Sequence, residues 1–275
     1  MQKSNYCKIT KQNDTSYVIF PSINNIVNFN KYTPQTKEMA SINQSQAEGF
    51  RQTEFSGTTS YKEAEGLLLH GWEDVSCELT KCLNATNTSF KTVSKNFYSP
   101  VGYQPCVPRY LKGLPDSMIQ RKEVQQKQKV LNIIKSICYP SYVRTETIKE
   151  ESLKVLKLIQ SLEAKGYRCN LYIVDGIDKS RNVSEQTLIY LKIKETKQRL
   201  NIKQVAFPLV HPSILRRIFF GVVERLESTK NVGVSYGTVL DEVSVKHKTK
   251  QIIKNAIVLP PIVKENEITN IENYS

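Results

Sequence analysis

Apolar residues recur at helical spacing in SGTTSYKEAEGLLLHGW. Ala64, Leu67, Leu68 and Trp72 fall on one side, and Thr58, Thr59 or Ser60 supplies an N-cap. Gly71 breaks this helix and Trp72 becomes a core anchor. WEDVSCELTKCL predicts a second helix, with Val75, Leu79, Cys82 and Leu83 on one face and Cys77 turned away from Cys82. From about residue 119 the pattern becomes one of alternating strands and helices. RKEVQQKQK reads as a solvated basic approach to a strand at 130–139 (VLNIIKSICY). The next stretch, ETIKEESLKVLKLIQSLEAKGY, predicts a helix lined by Leu153, Leu156, Ile159 and Leu162, with Gly166 at its C-cap. CNLYIVDG (169–176), TLIYLKIK (187–194) and VAFPLV are predicted strands, PSILRRIFFGVVERLE a helix and IVLPPI a last strand. This order implies a partly parallel sheet flanked by helices.

The chain divides accordingly. Residues 1–50 form a polar N-terminal arm with candidate edge strands in SYVIFPSINNIVNF, 51–118 a helical segment and Pro/Gly-rich strap, 119–263 the α/β core and 264–275 a flexible tail. The strap, YSPVGYQPCVPRYLKGLPDSM, has neither helical nor strand period. Pro105, Pro108 and Pro115 fix backbone angles there, while Gly102 and Gly113 permit turns. It is expected to pack Tyr103, Val107, Tyr110, Leu111 and Met118 on the core and to turn Arg109 and Lys112 toward solvent or a polyanion.

A formal net charge of +13 favours polyanionic partners such as DNA or RNA. The six cysteines include no CxxC pair, so a structural zinc gains no support, and reduced, mostly buried thiols in an intracellular protein are expected. The polar start MQKSNYCKITKQ and the absence of any run of about 18 apolar residues point away from a signal peptide and from a membrane partner.

Ligands of open α/β sheets meet the carboxyl ends of strands, which singles out CYPSYVRT, VDGIDKSRN and PLVHPSILRR. The catalytic candidates are Asp175, His211, Arg216 and Arg217. For His211 the competing reading is a cap or packing role beside Pro212. Asp175 with Asp178 could hold a cation, but Lys179 and Arg181 favour a solvated turn. The fold is expected to be Rossmann-like or von Willebrand A-like without a complete metal site, since the latter would carry an acidic D-x-S-x-S cluster where this chain reads CYPSYVRT. There is no HExxH, G-x-S-x-G, Walker A or G-x-G-x-x-G motif, and neither metal nor cofactor is expected. GVSYGTVLDE at 233–242 is a second glycine loop, read as a chain reversal.

Basic residues with interspersed tyrosines make the nucleic-acid candidates. They are Arg109, Lys112, Arg121, Lys122, Lys127, Lys129, Lys192, Lys194, Lys197 and Arg199, with Tyr98, Tyr103 and Tyr110 nearby. The bland alternative is a solvated charged face.

Gly57, Glu63, Ala64, Leu67, Gly71 and Trp72, then Gly102, Pro105, Val107, Pro108, Leu111, Gly113, Pro115 and Met118, then His211, Pro212, Arg216, Arg217, Phe219 and Glu224, together resemble an uncharacterised family of tailed-bacteriophage proteins. Cys106 departs from that pattern, which has an acidic residue there. The resemblance implies a phage setting, in the host cytoplasm or associated with the virion, and brings no reaction. The leading expectation is a non-enzymatic protein that binds nucleic acid or another phage protein through a basic α/β scaffold. The alternatives are an enzyme acting on nucleic acid or a phosphorylated substrate, and a self-assembling virion component.

Overall fold

The predicted strands come together as one six-stranded sheet in the computed structural model, which describes residues 5–36, 43–84, 94–123, 129–140, 143–180, 183–229 and 242–261. Its order is β1 (Lys8–Gln12), β2 (Thr15–Phe20), β8 (Val183–Lys194), β7 (Arg168–Ser180), β6 (Val130–Ser136) and β9 (Ala256–Leu259). β6 runs parallel to both β7 and β9, and β2 runs parallel to β8, whereas β7 and β8 form an antiparallel hairpin. The crossover from β6 to β7 is α6 (Thr145–Ala164), whose buried face includes Val155, Leu156, Ile159 and Leu162. This mixed sheet is flanked by helices, and the described residues contain no complete metal-binding cluster. It is consistent with a Rossmann-like or von Willebrand A-like α/β fold.

One face of the sheet carries the larger core. It is covered by α1 (Ile23–Tyr32), α3 (Tyr61–His70), α4 (Glu73–Asn84), α6, α7 (Ile202–Val210) and a π-helical turn (Ile214–Phe219) that continues into α8 (Phe220–Val223). On the other face Tyr17, Ile134, Tyr172, Val174, Leu188 and Tyr190 meet Val245 of α9 (Glu242–Ile252).

Four expectations need correction. SYVIFPSINNIVNF does not supply edge strands: its second half is helical, in α1 capped by Ser22, and β2 lies between β1 and β8, with Tyr17, Val18 and Phe20 buried, because the two-sided apolar strand β8 needs a neighbour on each flank. VAFPLV is helical, the second half of α7, with Val205 to Val210 all buried. A short run buried on every side has no period to separate helix from strand. On α4, Cys82 is exposed and Ser76 takes an inward place. Of the six thiols only Cys138 and Cys169 are buried, and Cys77 is exposed as well.

The strap is the fourth. Instead of packing on the core it builds a second sheet, in the order β3 (Ser94–Ser99), β5 (Met118–Glu123), β4 (Gln104–Pro105), with α5 (Val107–Leu111) between β4 and β5. The approach read as solvated thus begins as β5. Pro105 is tolerated because β4 is an edge strand, and Pro108 because it sits in the first turn of α5. Gly102 is required by packing: a Cβ there would stand 2.3 Å from the Ile119 carbonyl oxygen. The loop at 233–241 and the tail at 264–275 lie outside the described residues.

Candidate functional site

The second sheet displays side chains that a folded core would normally cover. Tyr98, Tyr103, Tyr110 and Leu111 are 55%, 62%, 71% and 78% exposed. Pairing Tyr98 with Ile119 and Asn96 with Arg121 puts Tyr98 and Arg121 on the same face of the ribbon. Arg109 reaches across from α5, with its guanidinium 4.3 Å from the Tyr98 ring centroid. Its Nε donates to the Asp116 carbonyl at 2.8 Å, which fixes the stacked geometry. Lys112 and Arg121 are exposed beside it. From 94 to 123 the chain carries five cations, Lys95, Arg109, Lys112, Arg121 and Lys122, against Asp116 and Glu123.

The remaining basic candidates divide. Lys129 precedes β6, and Lys197 and Arg199 follow β8, which runs antiparallel to β7, so these exposed residues share the amino-terminal end of β6 and β7. Lys194 is withdrawn from any polyanion: it is 2% exposed and donates to Glu163 at 2.7 Å and to the Cys169 carbonyl at 3.0 Å. Lys192 pairs with Glu195 at 3.4 Å and lies over the Tyr172 ring. Lys127 falls outside the described residues, as do Arg181 and the side chains of Lys122, Asp178 and Lys179.

The catalytic candidates fall into two groups that share no partner. Asp175, 1% exposed, accepts from the Cys138 thiol and from the Gly176 N–H at 2.8 Å through the same oxygen, Oδ1. Its Oδ2 has no hydrogen-bond partner among the described residues. Burial therefore pushes its carboxyl up to about 6. A few residues before Cys138, Lys135 is buried against Glu151 at 3.7 Å and donates to the Pro260 carbonyl at 3.3 Å. This pair was not anticipated, although two signals were present: a lysine inside the apolar run IIKSIC, and a glutamate in helical register with Ile148 and Val155.

His211 closes α7. Its ring lies edge-on to Trp72 at 4.7 Å and stacks on Phe207 at 5.0 Å, and Nδ1 accepts from the Ser213 N–H at 3.1 Å, which puts the ring proton on Nε2. Burial depresses its pKa to about 4. Ser213 is fully buried and donates to the Ser56 carbonyl at 2.6 Å. Gly57, at φ +83°, sits so close that a Cβ would be 3.0 Å from the His211 ring. Arg216 stacks on Phe55. Arg217, with none of its surface exposed, donates to the carbonyls of Ser45, Ala47 and Thr58. Glu224 accepts from the Ser45 N–H at 2.8 Å, from the Ser45 hydroxyl at 2.5 Å and from Gln35 at 2.9 Å. The segments around Gly57–Trp72 and His211–Glu224 thus form one packed joint that holds residues 43–58 against the core.

Among the described residues no single helix is long and apolar enough to cross a membrane. A family model described as a domain of unknown function (DUF7192) matches residues 7–274. No curated protein and no solved structure matches the chain.

Proposed function

The chain belongs to the family described as a domain of unknown function (DUF7192), and on that premise we propose that it is a non-enzymatic protein whose second sheet binds single-stranded nucleic acid. The observation that carries this reading is the exposed row formed by Arg121, Tyr98 and the stacked Arg109, with Tyr103, Tyr110 and Lys112 around it. Every base has a π-face, so exposed tyrosines accept unpaired bases of any sequence, while the cations take the phosphates. A duplex hides those faces, which favours an unpaired strand. The tailed-phage setting and a place in the host cytoplasm are part of the proposal and rest on the residue resemblance alone.

Fluorescence anisotropy with a labelled oligothymidylate of about 20 nucleotides tests it across a salt series. Binding weakens as salt rises. Changing Arg109, Lys112 and Arg121 together to alanine makes the log–log salt slope shallower by about 2, at roughly 0.7 per lost phosphate contact. Tyr98→Ala with Tyr103→Ala weakens binding at every salt concentration by at least about tenfold. Salt-insensitive binding to both DNA and RNA, or variants that bind like the parent chain, overturns the reading.

A further inference from the structure

A cleft of about 470 Å³ lies between α1 and α3, well apart in sequence from the second sheet, and a polar cleft of about 430 Å³ adjoins it through the shared residues Lys31 and Gln46. Its α3 wall is the stripe Tyr61, Lys62, Glu65, Gly66 and Leu69. Gly66 stands in the interior of a ten-residue helix, where glycine destabilises relative to alanine. Packing does not call for it: a Cβ on Gly66 would meet nothing within 4 Å. What the missing side chain provides is an open floor beside Tyr61 and Leu69, on which a flat group can lie against the helix.

For an anion, Lys31 and Lys62 on the first cleft and Arg225 on the second outnumber Glu65, the carboxylate in the first cleft's wall. Lys31 and Lys62 have no carboxylate partner among the described residues. Arg225 is anchored, with Nε donating to the Thr33 carbonyl at 2.9 Å and Nη1 donating to the Gly221 carbonyl at 2.8 Å and lying 3.9 Å from the Glu224 carboxylate, which leaves its second amino group for a ligand oxygen. The Tyr61 hydroxyl accepts from Asn30 at 2.8 Å and keeps its own proton to donate. Burial raises its pKa, so the phenol stays neutral. We propose that the two adjoining clefts together bind one nucleotide, with the base over Gly66 and the phosphate where they meet at Lys31, between Lys62 of the first and Arg225 of the second. The source is either a free nucleotide or the phosphorylated end of a strand.

Calorimetric titration of the full chain with AMP, adenosine and inorganic phosphate tests the proposal. AMP binds at least tenfold more tightly than either half. Gly66→Ala raises Tm by about 2–4 °C through its helix propensity and weakens AMP at least tenfold. Lys31→Ala with Lys62→Ala weakens AMP and phosphate and leaves adenosine unchanged. A 5′-phosphorylated pentanucleotide that competes with AMP identifies a strand end as the source, and one that does not identifies the free nucleotide. AMP binding no tighter than phosphate, or a Gly66→Ala chain that binds AMP like the parent, overturns the proposal.

Discussion

Replacing Arg217 by methionine removes about 4 kcal/mol of folding stability and opens the segment 43–58 to protease. The guanidinium is fully buried and spends its two terminal amino groups on three main-chain carbonyls, those of Ser45, Ala47 and Thr58. Hydrogen bonds to a charged donor contribute about 1.5–3 kcal/mol each, and every carbonyl left without a donor in the interior adds a desolvation cost. The methionine recovers the packing volume, which keeps the loss below the sum of those bonds. Lysine in the same place does little better, since one ammonium cannot span acceptors that a planar fork reaches together. The release is local because Arg217 and Glu224 grip the same residue from two sides, one through the Ser45 carbonyl and the other through its N–H and hydroxyl. Urea unfolding measures the stability and limited proteolysis locates the opening. A loss below about 1 kcal/mol, or unchanged protection at 43–58, would show that the joint holds without its arginine.

That joint also shows where sequence reasoning stops. Helices with a clean apolar stripe, such as α3 and α6, were legible, and so were β6, β7, β8 and β9, because their periods and caps are local properties. Thr59 and Ser60 mark the start of α3 as expected: the Ser60 hydroxyl accepts from the Glu63 N–H at 3.2 Å, and the Glu63 carboxylate accepts from the Thr59 N–H at 2.7 Å. The place of β2 was not legible, since an interior strand and an edge strand of six residues read alike until the neighbour is known. Arg216 and Arg217 stand in the sequence among the catalytic candidates, a few residues after His211. Adjacent in sequence, they go separate ways: Arg217 is directed inward to backbone carbonyls and Arg216 lies on Phe55. Nothing in the residues before Ser45 announces that those carbonyls need a donor from more than a hundred and fifty residues later. The strap was misjudged for a related reason. The sequence offers Tyr103, Val107, Tyr110, Leu111 and Met118 to a core, while the pairing of β5 with both β3 and β4 gives the segment a sheet of its own, leaving the first four exposed and Met118 half-buried.

The stability of this protein changes little between about pH 4 and 6 from two buried groups that each change it strongly, in opposite directions. Asp175 has a folded-state pKa of about 6 against an ordinary 3.8, so the folded chain binds the extra proton in that window. Its contribution is greatest at the acid end and is lost as pH rises through 6, by about 3 kcal/mol. His211 has a folded-state pKa of about 4 against an ordinary 6.5, so the unfolded chain binds the extra proton. Its contribution is present above 6.5 and is lost as pH falls toward 4, also by about 3 kcal/mol. Removing either group exposes the slope of the other. In Asp175→Asn, the amide oxygen still accepts from Cys138 and Gly176 and the ionisable proton is gone. The variant is more stable than the parent by about 1–3 kcal/mol at pH 7.5, and this advantage shrinks to nothing or reverses by pH 4, because the parent's Asp175 is then protonated and no longer carries a buried charge, while the histidine common to both chains sets the variant's own downward trend. In His211→Asn, the side-chain oxygen takes the place of Nδ1 as acceptor for the Ser213 N–H, while the contacts with Trp72 and Phe207 are lost. That variant is less stable at pH 7.5 and recovers relative to the parent as pH falls. Urea unfolding of the three chains at half-unit steps from pH 4 to 7.5 checks both signs. An Asp175→Asn chain destabilised at pH 7.5 would mean that the carboxylate has a cationic partner there, and the buried charge would then belong to a binding site and not to the core.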